Sequence, residues 1–246
     1  MGSSNHIPLS NGRSLRLGEL VSMYERIVID TNIINVSGRD GLSFDSRAYN
    51  AQMYDCIKNG EPFVCTPNVY REFSNRFLDN HRASESTILH RLSAGLNHRR
   101  FKDAKVRLKF SQHSKKELVD FRKQFGELKR AVRGICCDDD YDLNVALRLG
   151  KEWFSEAVKS GIIHEDHRFP NTDLIVATYG LALGSKYYTA IISRDFGLLN
   201  FANKLRHCFE QKTHEFPFSS FCQLDLYVLD GKASLGVFKE WQRQSF

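Results

Sequence analysis

The sequence predicts an α/β fold built on a central, mainly parallel β-sheet flanked by helices. Three observations carry this expectation. Short β-branched runs without polar alternation suit strands buried on both faces. Long helix-prone stretches separate those runs, which is the pattern of crossover connections rather than hairpins. The chain has 246 residues, enough to bury a sizeable core without a disulfide or structural metal.

The elements follow in order. Residues 1–24 read as a polar N-terminal arm ending in a short helix around Leu15–Tyr24. Arg26-Ile-Val-Ile-Asp30 is the first strand. Pro62-Phe-Val-Cys65 is the second, closed by Thr66-Pro67. Residues 67–80 then read as a helix, and proline is favourable at its start because the missing N–H costs nothing there. Residues 81–165 are charged and helix-prone, with no clear strand and no proline. Thr172–Gly184 is apolar, follows Pro170 and Asn171 and ends in glycine, which marks a capped helix. Ala190–Ser193 and Leu224–Leu229 are the third and fourth strands. The expected domain therefore spans about 25–230, with a helical insertion at about 81–165 and a C-terminal tail over 231–246.

Composition removes several classes. The chain is 41% hydrophobic, 12% aromatic and 26% charged, an ordinary globular balance unlike that of disordered, collagen-like or coiled-coil chains. The most apolar stretch, Leu174–Ile192, is broken by Gly184, Ser185 and Lys186, so no run reaches the roughly 20 residues of a membrane helix. The polar N-terminus lacks the apolar core of a signal peptide, and the expected location is cytoplasmic. Six cysteines (56, 65, 136, 137, 208 and 222) include no CxxC pair, and in a reducing compartment they read as small buried thiols. There is no GxxxxGK[ST] loop and no GxSxG elbow, so no nucleotide cofactor and no serine hydrolase is expected.

Charge is unevenly spread. Leu96–Gly134 carries thirteen Lys/Arg and four Asp/Glu, a net +9. The whole chain is +6, which leaves the remainder at −3. Arg99, Arg100, Lys102, Lys105, Arg107 and Lys109 fall in this segment, interleaved with Phe101 and Phe110. Such a segment is either a solvated amphipathic helical hairpin or a phosphate-binding surface of the kind that gives salt-dependent, sequence-blind affinity.

Four acidic residues fall where open parallel sheets bind ligands, at the carboxyl ends of strands. Asp30 ends the first strand. Asp195 follows the third, in Ser193-Arg-Asp-Phe-Gly197. Asp173 lies in the first turn of the helix after Pro170, and Glu72 lies one turn into the helix after Pro67. Singly each has an ordinary explanation: Asp30 and Asp195 as turn residues, Asp173 as a complement to its helix dipole. Asp138-Asp-Asp-Tyr-Asp142 reads first as an acidic helix start. His164 and His167, three apart, read as a loop pair near the expected pocket.

Four short segments carry a family resemblance. Ile27-Val-Ile-Asp-Thr-Asn-Ile-Ile34 resembles the opening motif of PIN-domain nucleases. Thr66-Pro-Asn-Val-Tyr-Arg-Glu-Phe73 looks like their second motif, Asn171-Thr-Asp-Leu-Ile-Val-Ala177 the third, and Ile191-Ile-Ser-Arg-Asp-Phe196 the fourth, all in family order. The basic middle segment departs from the short stand-alone members, such as bacterial toxins. The resemblance implies a PIN-like three-layer fold. It implies a Mg²⁺- or Mn²⁺-dependent endoribonuclease that leaves 5′-phosphate and 3′-hydroxyl ends. Its catalytic and metal-binding residues would be Asp30, Glu72, Asp173 and Asp195, supported by Thr31, Asn32 and Ser193. Hard oxygen ligands suit those ions better than Zn²⁺. The partner would be RNA, held by the basic segment and by Arg194, which otherwise forms a surface salt bridge. An antitoxin-like inhibitor or a homo-oligomer is the further partner such a family allows, and the alternative functions are a non-catalytic RNA-binding scaffold or the toxin of a toxin–antitoxin pair.

Overall fold

The fold is taken from a computed structural model that describes residues 15–34, 52–60, 62–78, 126–137, 141–159, 163, 169–211, 223–229 and 235–238. Five strands form one sheet: β1 (Arg26–Ile29), β2 (Phe63–Val64), β3 (Tyr188–Ser193), β4 (Gln223–Leu229) and β5 (Leu235–Val237). Their order is β2-β1-β3-β4-β5. The first four are mutually parallel and β5 is antiparallel to β4. The expected α/β class with a mainly parallel sheet holds.

Burial explains the strand chemistry. Ile27, Val28, Ile29, Ala190, Ile191 and Ile192 are each fully enclosed, as a strand covered on both faces requires. The helices are α1 (Leu17–Val21), α2 (Thr31–Ile34), α3 (52–58), α4 (Pro67–Leu78), α5 (126–134), α6 (Tyr141–Lys159), α7 (Thr172–Gly184) and α8 (Phe196–Gln211). Most of the described part of the expected insertion is thus helical, but Cys136, just after α5, forms a parallel β-bridge with Cys65, next to β2.

Helix α7 is the spine. Every residue from Leu174 to Gly184 is buried, because the helix packs on β1, β3 and β4 and is covered by α6 and α8. A helix apolar on all sides is stable only when enclosed in this way. Its start is fixed by Asn171, whose side chain accepts the Leu174 N–H at 3.1 Å. Two glycines permit the close packing. A methyl at Gly180 would stand 2.6 Å from Ile191 Cγ1 on β3, and one at Gly150 on α6 would stand 2.9 Å from Ile175 Cδ1 on α7.

The sheet extends past both expected domain bounds. The segment read as a tail over 231–246 contributes β5, and Leu15, in the expected arm, exchanges backbone hydrogen bonds with Leu235 at 2.7 and 3.2 Å. One unit therefore includes residues on either side of 25–230. Of the cysteines, Cys65 is buried, Cys56, Cys136, Cys137 and Cys208 are half-buried, and all five are free thiols; Cys222 lies outside the described residues.

Candidate active site

Strand order locates the crevice. From β1 the chain steps outward to β2, then returns across β1 to β3 and β4. Right-handed crossovers place connections of opposite sense on opposite faces. The carboxyl ends of β1 and β3 are therefore the point where the chain parts to the two faces, and an open α/β sheet offers its ligand crevice there.

Asp30 sits at that point. It follows β1, its N–H donates to Ile192 O at 3.3 Å, and the residue is only 3% exposed. One carboxylate oxygen, Oδ1, accepts the Thr31 N–H at 2.5 Å. The other, Oδ2, accepts the Ser193 hydroxyl at 2.7 Å and the Asn32 amide. All three donors are neutral. A carboxylate has about four lone-pair positions, so these bonds leave one open, on Oδ1.

The neighbours lock one another. Ser193 Oγ accepts the Asp195 N–H at 2.9 Å and the Asn32 amide at 3.3 Å, while Asn32 Oδ1 accepts the Arg194 N–H at 3.0 Å. The turns after β1 and β3 are thereby tied together across the crevice. The Thr31 hydroxyl donates to Glu72 Oε2 at 3.1 Å and so holds a residue of α4 at the same edge. Asp195 Oδ1 accepts the N–H groups of Gly197 at 2.7 Å and Leu198 at 3.3 Å. That bonding caps α8, so the ordinary turn role weighed for Asp195 is also real.

Burial pushes the Asp30 carboxyl up to about 6, opposed by the hydrogen bonds from Ser193 and Thr31 and assisted by the negative charges of Glu72 and Asp195. The order of those causes is physical: an enclosed carboxylate loses hydration first, and nearby like charges add to the cost. Asp30, Glu72 and Asp195 thus form one interacting anionic group, although Glu72 is half-buried and Asp195 exposed.

Asp173 lies in the first turn of α7 and is half-buried. Its level follows from lengths. Helix α7 has 13 residues and β3 has 6, so each spans about 20 Å. Only residues 185–187 join them, so α7 runs back along β3 and begins at the edge where β3 ends. Asp173 therefore shares the carboxyl edge with the other three acids.

Among the described residues no three Asp, Glu, His or Cys side chains close around one point as a finished ion cage. The donor chemistry nevertheless fits a hard cation: the groups gathered at the edge present carboxylate and hydroxyl oxygens, and Asp30 keeps an open lone pair.

The other expected residues distribute as follows. Arg194 is half-buried, and among the described residues its guanidinium has no bonded partner, so the alternative of a salt bridge is not realised there. Arg99, Arg100, Lys102, Lys105, Arg107 and Lys109 lie outside the described residues, as do His164, His167 and Asp138–Asp140. Asp142 opens α6 and pairs with Lys186 at 2.6 Å, an ordinary helix-start role. Sequence reasoning missed helix α8, which Phe196, 58% exposed, opens beside Asp195. The signal was present in Asp195 followed by Leu198, Leu199, Phe201, Ala202 and Leu205, a capped helix with apolar residues at helical spacing.

Comparison of the chain with protein-family models, with curated proteins and with solved structures finds no match. Among the described residues no helix is long and apolar enough to cross a membrane.

Proposed function

We propose that this chain is a Mg²⁺- or Mn²⁺-dependent endoribonuclease that hydrolyses RNA phosphodiesters to 5′-phosphate and 3′-hydroxyl ends. The observation that supports it most is Asp30: a buried carboxylate at the sheet's switch point, bonded only by neutral donors, with the charges of Glu72 and Asp195 acting on it. A cluster of this sign is costly unless a cation offsets it.

Asp30 would be the central ligand, with Glu72, Asp173 and Asp195 completing the set. A bound divalent ion there would acidify a water and offset charge on the departing oxygen. The chain's own residues supply order. Ser193 and Asn32 fix the Asp30 carboxylate, so its open lone pair has one direction. Thr31 holds Glu72 toward the crevice. The Arg194 guanidinium, unpartnered among the described residues, is available to a substrate phosphate. In the net reaction a water oxygen bonds phosphorus, the bond from phosphorus to O3′ breaks, and a proton passes to O3′.

The test is incubation of the purified chain with mixed cellular RNA, in Mn²⁺ or in EDTA, with the new ends mapped. Cleavage in Mn²⁺ alone, absent in Asp30→Asn, is the expected result. Equal cleavage by both proteins would defeat the assignment. The second reading is an RNA-binding scaffold. Calorimetric titration separates the two, because a scaffold takes up no Mn²⁺ at millimolar concentration.

A further inference from the structure

The edge of the sheet beyond β2 holds two cysteines in register. Cys65 continues β2, and Cys136, just after α5, lies beside it as its parallel bridge partner. Two backbone bonds fix that register: the Cys65 N–H donates to Ile135 O and the Cys137 N–H to Cys65 O, each at 3.0 Å. Partners in register on neighbouring strands stand about 4.8 Å apart with side chains on the same face. A disulfide needs Cα atoms about 4.4–6.8 Å apart. Cys65 and Cys136 meet that requirement while both are free thiols.

The last turn of α5 lies against both sulfurs. Cys65 Sγ is 3.9 Å from Val132 O, and the next residue, Arg133, reaches Cys136 Sγ with Nη1 at 3.8 Å. The two thiols differ in access, since Cys65 is fully enclosed and Cys136 half-buried. The Arg133 guanidinium also lies over the Tyr70 ring, 4.0 Å being exceeded only slightly at 5.2 Å from its centre, so it has two contacts that hold it beside Cys136. Negative charge gathers on a sulfur that attacks an oxidant, and a neighbouring cation favours that attack. Cys137 is engaged otherwise, its thiol donating to Cys65 O at 3.2 Å.

We infer that Cys65 and Cys136 are a reversible redox pair, in which Cys136 is oxidised by a hydroperoxide and Cys65 resolves the product as a disulfide. The Cys136 sulfur attacks one oxygen of hydrogen peroxide, the O–O bond breaks, a sulfenic acid forms and water leaves. The Cys65 sulfur then attacks the Cys136 sulfur, the S–O bond breaks, the S–S bond forms and a second water leaves. The two thiol protons end in those waters, and two electrons pass from the sulfurs to the peroxide. A small dithiol reverses the change by exchange and is itself oxidised. The bond would tie the end of β2 to the stretch after α5, one residue before Thr66, whose hydroxyl accepts the Val69 N–H at 3.3 Å and starts α4. The pair stands independently of the nuclease reading.

The experiment treats the reduced full chain with hydrogen peroxide, blocks the remaining thiols by alkylation, and maps disulfides by mass spectrometry of an unreduced digest. The expected product is a peptide pair joining Cys65 to Cys136 within one chain, lost on addition of dithiothreitol. Cys65→Ser leaves a sulfenic acid on Cys136 that dimedone traps, whereas Cys136→Ser leaves neither cross-link nor adduct at these positions. Cys137→Ser keeps the cross-link, and Arg133→Ala slows its formation about tenfold. The wild-type map alone decides the matter if a variant fails to fold. A bond from Cys136 to Cys137 or to any other cysteine, bonds only between chains, or passage of Cys136 to sulfinic acid with Cys65 still reduced overturns the pair.

Discussion

The buried carboxyl of Asp30 works against the stability of the folded chain. Its folded-state pKa of about 6 lies above the ordinary carboxylate value of 3.8, so the folded chain holds the proton more tightly than the unfolded chain does. Between those two values the folded state binds more protons, and stability falls as pH rises through the window. Above it the full penalty applies, about 3 kcal/mol for a shift of this size. Asp30→Asn removes that penalty but offers one acceptor oxygen to three donors, so the net gain is about 1–2 kcal/mol. In EDTA at pH 7.5 the variant should melt a few degrees above the wild type, and below pH 4 the advantage should vanish. A variant less stable than wild type at pH 7.5 would show that the hydrogen bonds outweigh the buried charge. Adding Mn²⁺ should raise the melting point of the wild type and not that of Asp30→Asn, because an ion held by the folded state alone stabilises it by mass action. Equal shifts in the two proteins would place the ion elsewhere.

At the scale of elements, α7 carries Asp173 to the carboxyl edge, and its contact with β3 is set by Gly180. Alanine favours helix by about 1 kcal/mol over glycine, but overpacking a close contact costs about 1–3 kcal/mol. The methyl would press on Ile191, so Gly180→Ala should lower stability by up to about 2 kcal/mol in denaturant titration. Gly134→Ala meets nothing within 4 Å and should be neutral or slightly stabilising. A stabilised Gly180→Ala chain would mean that α7 can shift on the sheet without cost. The same elements show what the sequence disclosed. Helix α7 was legible within a residue because Asn171 caps it and its apolar run is long; β1 and β3 were legible as enclosed β-branched runs, and β4 as a short run of alternating apolar residues. Strand β5 was not, since Leu235-Gly-Val237 is too short to have a period and gains its place only by pairing with β4. Helix α8 is less legible because its start carries two readings, a ligand carboxylate and a turn residue, and only coordinates show that Asp195 Oδ1 caps the helix. The family resemblance named Thr31, Asn32 and Ser193 as supporting residues, and these are the ones that bond Asp30. Only coordinates reveal that Ser193 and Asn32 join the turns after β1 and β3.

For the molecule as a whole, electrostatics must resolve a conflict. An acidic crevice repels a polyanion, and the chain outside Leu96–Gly134 carries a net −3. The opposing charge is concentrated in one segment at +9, so attraction and chemistry are assigned to different stretches of sequence. If that segment holds RNA by its backbone, each phosphate neutralised contributes about 0.7 to the slope of log affinity against log salt for a single strand. Replacing Arg99, Arg100, Lys102 and Lys105 together by alanine should then weaken binding at low salt and reduce that slope by up to about 3, with the change spread evenly across RNA sequences. Melting points and Mn²⁺ uptake should stay at wild-type values, because none of the four is assigned to the crevice. An unchanged slope would show that the basic segment is a solvated surface and that the crevice, with Arg194, meets its substrate unaided.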